Sequence, residues 1–313
     1  MSDTDSLIDR RSLRRKVTFW RVAAVVTVIV AIAIGVLANL DTRSSGEQIA
    51  RISIEGVITE DQKMLELLDR LRTEDTVRAV VIRIDSPGGT TVGGESLYEA
   101  VRKIAEVKPV AAEVGTLAAS AGYMVAAATD HIVARRTSIV GSIGVLFQYV
   151  NASQLLDNIG VKVDAVKSSP IKAEPSPFGP PPPEALAMID ALIMDTYDWF
   201  REIVGERRGL SPAELDAVDD ASVFSGRQGV QRKLVDAIGG EDMVRQWLEE
   251  EREIPAGLKF VDRQPEDEST PFSFLSASIS ALGTTVGLTD KSIPAALRAL
   301  ELDGLVSLWQ PSN

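Results

Sequence analysis

From residue 49 to residue 136 the chain alternates β-like and helix-like segments without a break, and no other feature restricts its fold as tightly. "IARISIEGVI" (49–58) alternates apolar and polar residues as a strand does, and "QKMLELLDRLR" (62–72) sets Met64, Leu67, Leu68 and Leu71 at helical spacing. "VRAVVIRID" (77–85) is strongly β-branched; a Pro-Gly-Gly turn and a helix over 95–107 follow it. "PVAAEV" (109–114), the alanine-rich stretch 118–128 and "HIVARR" (131–136) extend the series as strand, helix and strand. Regular alternation of this kind predicts an α/β fold with a layered parallel sheet and flanking helices. Further strands are expected over 141–150 and 161–166, flanking a short helix. The prolines that close "EPSPFGPPPP" (174–183) lead into a long helix over 184–209 with a glycine stop, and "SPAELDAVDD" (211–220) begins another. The regularity fails near residue 255.

Ahead of this body lies "VAAVVTVIVAIAIGVLA" (22–38), seventeen residues without a charge. With Phe19 and Trp20 before it and Leu40 after, it approaches the roughly 20 residues that cross a bilayer as helix. A buried core helix would show an amphipathic face, and a cleaved signal peptide a shorter apolar run. Residues 1–21 hold six basic side chains against three aspartates, which orients the N-terminus to the cytoplasm and everything after Asp41 to the far side. The expected organisation is a basic cytoplasmic segment (1–21), a transmembrane anchor (22–40), a tether (41–48), an α/β domain (49–254) and a linker with a C-terminal tail (255–313). In that tail, "SIPAALRALELDGLVSLW" (292–309) has an apolar face suited to packing on the domain, on a membrane surface or between subunits.

Composition removes several kinds of chemistry. No cysteine is present, which excludes thiol catalysis and thiolate metal sites, and the single histidine, His131, removes most imidazole-based zinc sites. Beyond residue 21 the chain carries 27 basic and 42 acidic groups, a balance that repels phosphate backbones, so nucleic acid is not expected as a partner.

Two stretches remain that could carry a reaction. In "RIDSPGGTTVGGES" (83–96) the glycines after a strand can aim backbone N–H groups at open space. Phosphate cradling would need a Walker or dinucleotide glycine pattern, which is absent; an oxyanion hole needs only one or two amides. In "GTLAASAGYMVAAATD" (115–130) Ser120 falls where a strand gives way to a helix, at the carboxyl edge of the sheet, and its small neighbours would admit a substrate backbone. An N-capping hydroxyl is the plainer explanation of such a serine. A nucleophile also needs a base. His131 falls inside a predicted strand, which leaves lysine, and a lysine base must lose about three units from an ordinary pKa near 10.4 by apolar burial. Lys172 stands among Pro170, Ile171, Ala173 and Pro175, with Lys167 as its rival.

Taken in order, "IDSPGG", "AASAGYMVAAATDHIVA", "TSIVGSIGV", "KSSPIKAEPSPF" and "FSGRQGVQRKLVDAIGG" resemble the short form of bacterial signal peptide peptidase. These are serine–lysine membrane proteases of peptidase family S49, in the ClpP/crotonase superfamily, and the likeness runs from about residue 48 to residue 250. It implies a ClpP/crotonase-like fold, Ser120 as nucleophile, Lys172 as general base and Ser142 as the hydroxyl that holds the lysine. The backbone amides of Gly89 and Ala121 would form the oxyanion hole. It further implies an endopeptidase of the inner membrane that needs no metal or cofactor and degrades remnant signal peptides and other hydrophobic peptides. The same resemblance implies a homo-oligomeric ring, an octamer, with serine and lysine supplied by adjacent protomers. This chain departs from the family pattern at Ser169, Ile171 and Ala173 around the lysine, and at Lys233, where a glycine is usual. The alternatives are an acyl-thioester enzyme of the same fold, which would not need Ser120, and an inactive membrane scaffold.

Overall fold

The computed structural model describes residues 46–265 and 306–308, with Trp20 and Val26 as isolated helical positions. The chain divides into Met1–Glu47 and Gln48–Asn313, and the architecture below is that of the second unit. The expected anchor over 22–40 and most of the tail lie outside the described residues; among those described, no helix is long and apolar enough to cross a membrane.

The alternation read from the sequence is realised as β1 (Gln48–Ile58), α1 (Gln62–Thr73), β2 (Val77–Thr90), α2 (Thr91–Ala105), β3 (Val110–Ala119), α3 (Ala121–Ala127) and β4 (His131–Ala134). After these come β5 (Ile139–Gly141), α4 (Ser153–Asn158), α5 (Pro183–Arg208), α6 (Pro212–Asp216), β6 (Val223–Ser225) and α7 (Gly226–Gln231). The last elements are β7 (Ala237–Ile238), α8 (Glu241–Glu250), β8 (Lys259–Asp262) and β9 (Val306–Leu308). Among the described residues the strands form one sheet in the order β6-β5-β3-β2-β1-β8. β1–β2, β2–β3, β3–β4, β3–β5, β4–β7 and β1–β8 are parallel; only β5–β6 and β2–β9 are antiparallel.

β2 is apolar almost throughout because both of its faces are covered, as a parallel strand's must be. Val80, Ile82 and Ile84 join Leu68, Ile104 and Tyr123 in the larger core, while Ala79 and Val81 meet Val244, Trp247 and Leu248 of α8 in the smaller one. Each large side chain so buried contributes roughly 1.5–3 kcal/mol. Helix α1 starts where Asp61 accepts from the amides of Lys63 and Met64, and it buries Leu67, Leu68 and Leu71. β3 forks the sheet: its first half pairs with β4 (Ala111 opposite His131) and its second with β5 (Ala119 opposite Gly141).

Two expectations are corrected. The Pro-Gly-Gly segment is no loop, for β2 continues through it to Thr90, and α2 begins at once, four residues before the expected start. No strand forms over 161–166, and of 141–150 only Gly141 belongs to one. Residues 161–166 join no described strand of the sheet, and Val150, Val163 and Val166 stand exposed. In the tail, Val306–Leu308 forms a strand on β2. The long helix α5 is found as expected, with Pro183 in its first turn and Gly209 closing it in the left-handed conformation. Ala185 is buried at its start and Phe200, Ile203 and Val204 in its second half, whereas Leu186, Met188, Leu192 and Met194 between them are exposed.

Candidate active site

β3 and β5 end together beside the glycine segment of β2. Ser86 of β2 lies opposite Ala118 of β3, and Ala119 opposite Gly141 of β5, so Gly88, Ser120 and Ser142 stand in a row along the carboxyl edge of the sheet. The row is cross-linked by the backbone: the Ser120 amide donates to the Gly141 carbonyl at 2.9 Å, and the Ser142 amide to that of Ser222 at 2.8 Å. All three residues, with Gly141, have positive φ, at 111° for Gly88, 56° for Ser120, 104° for Gly141 and 55° for Ser142. For a side-chain-bearing residue this costs of order 1–3 kcal/mol and persists where surrounding contacts enforce it.

Ser120 forms the sharp corner between β3 and α3. Its carbonyl already accepts from the Met124 amide, yet its hydroxyl makes no capping bond to the helix, so the N-cap explanation does not account for it. Ala121 opens α3, where first-turn amides have no acceptor within the helix. Small residues near Ser120 are required by the protein's own packing. A side chain at Gly122 would come within 2.9 Å of the Ser86 carbonyl, and one at Gly94 within 3.0 Å of Ala121 and Met124. Tyr123 is buried, donates to the Leu234 carbonyl at 2.9 Å, and is held well above the usual tyrosine range by burial, which makes it a structural residue.

The glycine segment is fixed by Ser86, a residue the sequence reading passed over. Its hydroxyl donates to the Gly56 carbonyl (2.6 Å) and accepts from the Gly88 amide (3.1 Å), tying the strand end to β1. Gly89 is pressed against that same strand, and a Cβ there would lie 1.8 Å from the Ile58 carbonyl oxygen. A buried serine two residues before a glycine was the available signal, but its partner on β1 is 30 positions away in sequence.

Lys172 is not buried by its own chain. It lies exposed in a turn closed by its amide on the Ser169 carbonyl, and among the described residues its ammonium has no ion pair and no hydrogen bond to Ser120. Its apolar sequence neighbours do not cover it, because the segment runs in turns and Ile171 and Ala173 are themselves exposed. Lys167, the rival, is committed elsewhere: its ammonium contacts Glu174 at 2.5 Å, and that bond holds the Glu174 carboxyl below its ordinary range, aided by the Ser176 amide. The pair staples the loop that presents Lys172. His131 sits against the first half of β3, at the end away from Ser120, stacked on Trp247 with centroids 4.8 Å apart; burial pushes its imidazole down.

A parallel-dominated α/β sheet whose strand ends gather glycine amides and a strained serine defines the class, that of the Clp-protease-like proteins, and the chain matches Clp protease over residues 44–158. It matches Peptidase family S49 over residues 102–255. A Synechocystis sp. protein provisionally named a protease is 35% identical over 65% of this chain and 74% of its own length. An Enterococcus faecium protein provisionally named signal peptide peptidase SppA is 28% identical over 69% of this chain and 67% of its own. Protease 4 of Haemophilus influenzae is 30% identical over 61% of this chain and 33% of its own. The chain belongs to peptidase family S49.

Proposed function

We propose that this peptidase is a membrane-anchored serine endopeptidase in which neutral Lys172 takes the proton of Ser120 as the hydroxyl attacks a peptide carbonyl. The acyl-enzyme that forms as the amine leaves is then hydrolysed by water. The amides of Gly89 and Ala121 receive the tetrahedral oxyanion, and Ser142 orients the lysine. The observation that carries this reading is the strained, non-capping Ser120 at a strand end flanked by Gly88–Gly89 and Ser142.

In this reading the lysine comes from a neighbouring protomer. Lys172 is exposed on a segment that also exposes Val150, Val163, Val166, Ile171 and Phe178, and the first half of α5 exposes Leu186, Met188, Leu192 and Met194. Covering it with a second copy would remove Lys172 from water and lower its proton affinity, which a lysine base requires. A closed homo-oligomeric ring, an octamer by family resemblance, satisfies every such surface at once. The apolar run 22–38 would hold the ring on the outer face of the inner membrane, where hydrophobic segments such as signal peptide remnants are its substrates. Residues 49–254 then form the peptidase domain, between the tether at 41–48 and the tail. Casein hydrolysis and labelling by a fluorophosphonate test the assignment. Ser120→Ala and Lys172→Ala are each expected to lower both by at least about a thousandfold while the assembly stays intact; turnover near the native level in either variant would refute the pair.

A further inference from the structure

Ser86 is wholly buried, and its one hydroxyl meets three backbone groups. It donates to the Gly56 carbonyl at 2.6 Å, with the Gly88 carbonyl as a second, longer acceptor at 3.4 Å, and it accepts from the Gly88 amide at 3.1 Å. The strand register accounts for the first bond. Between the pairs Glu55–Asp85 and Val57–Gly88, Gly56 alone faces Ser86 and Pro87, a β-bulge that Gly56 meets with φ at 70°. Pro87 has no N–H to offer the Gly56 carbonyl, and the Ser86 hydroxyl stands in for it. The seat is closed on the side of α3, where a Cβ on Gly122 would lie 3.3 Å from that of Ser86.

We infer that Ser86 is the positioning residue of the oxyanion hole, holding the peptide unit between Gly88 and Gly89 in the orientation that presents the Gly89 N–H. The inference rests on the reading of that amide as an oxyanion donor. The unit is trans, so its carbonyl and its N–H point in opposite directions. Its carbonyl is turned to the Ser86 hydroxyl, and the Gly89 N–H is therefore turned away from it. With glycine on both sides, no side chain opposes a half-turn of this unit. A half-turn would set the Gly88 carbonyl oxygen where the amide stands, and its partial negative charge would meet the developing oxyanion. Donors of this kind accelerate a reaction because they are already aimed when charge develops. The Ser86 hydroxyl, tied to β1 and to both polar groups of Gly88, supplies the restraint that two glycines lack.

Ser86→Ala in the full chain removes the hydroxyl and leaves Ser120, Lys172 and Ser142 in place. For casein, kcat is expected to fall on the order of a hundredfold and KM to stay within about twofold, because the oxyanion forms only in the transition state. Two peptide probes separate positioning from general damage. An acetylated leucyl-leucinal, whose aldehyde carbon bonds to the Ser120 hydroxyl oxygen and places an oxyanion in the hole, is expected to lose affinity by about the same factor. The matching leucinamide is expected to bind the variant as it binds the native chain. Ser86→Cys keeps the volume but hydrogen-bonds weakly, so it is expected to behave as Ser86→Ala does and to serve in its place if the alanine chain does not fold. Native kcat in the folded variant, or an equal loss of affinity for both probes, would overturn the inference and leave the Ser120–Lys172 pair standing. A native chain that binds the aldehyde no more tightly than the amide would instead overturn the reading of the hole itself.

Discussion

Ser120 and Ser142 share a backbone conformation that side-chain-bearing residues avoid, and neither is replaced by the glycine that would relax it. Retaining a serine at such a corner is reasonable only if its hydroxyl is needed there. Stability and function should therefore separate at position 120. Ser120→Gly is expected to be more stable than Ser120→Ala by about 1–2 kcal/mol, measured by urea unfolding, with both inactive; equal stabilities would show that the corner is unstrained. Lys233 tells a related story, since it holds φ at 60° where the family resemblance expects glycine, and its ammonium pairs with Glu214. His131 gives a pH signature. Its imidazole pKa is lowered in the fold, chiefly by burial, so the stability this site confers is present above the unfolded value near 6.5 and lost as pH falls through it. His131→Phe keeps the stack on Trp247 and removes the titration, so thermal melting between pH 7 and pH 5.5 is expected to flatten relative to the native chain. An unchanged slope would assign the acid sensitivity to other groups.

At the scale of elements, the site depends on β2 continuing as a strand through Pro87, Gly88 and Gly89. Those three residues read as a turn because local chemistry favours one, whereas the extended form is set by β1 on one side, Ser86 beneath and β9 on the other. None of these partners is local in sequence. Gly89→Ala would drive a Cβ into the backbone of Ile58, and the expected cost is about 3 kcal/mol or more, visible as a lowered urea midpoint with activity lost; an alanine variant as stable as the native chain would mean that β1 and β2 are not packed this closely. The helices were more legible, α1 from the spacing of its leucines and α5 from its proline start and glycine stop, since a helix's bonds are local. The strands expected over 141–150 and 161–166 show the opposite limit. Val163 and Val166 have the right side chains for a ladder, but residues 161–166 join no described strand and both valines stand exposed, which only long-range pairing could have revealed.

At the scale of the whole molecule, the sequence placed Ser120 and Ser142 at strand ends because alternation of strand and helix puts such corners on one edge of a parallel sheet. It could not place Lys172 beside them, because Lys172 stands exposed in a turn and no local pattern fixes what it meets. The apolar surface from Val150 to Phe178 and along the start of α5 supplies the reason a second protomer should sit there. A trans arrangement has a consequence that a cis one lacks. Ser120→Ala and Lys172→Ala subunits, each inactive alone, should complement when co-assembled, because a Lys172→Ala protomer retains Ser120 and can receive the lysine of its neighbour. Co-expression of the two at equal levels, followed by purification of the mixed assembly and measurement of casein turnover, is the most direct test. Random mixing is expected to restore roughly a quarter of native activity, the share of sites that combine an intact serine with an intact lysine; activity no higher than that of either variant alone would contradict a catalytic pair shared between protomers.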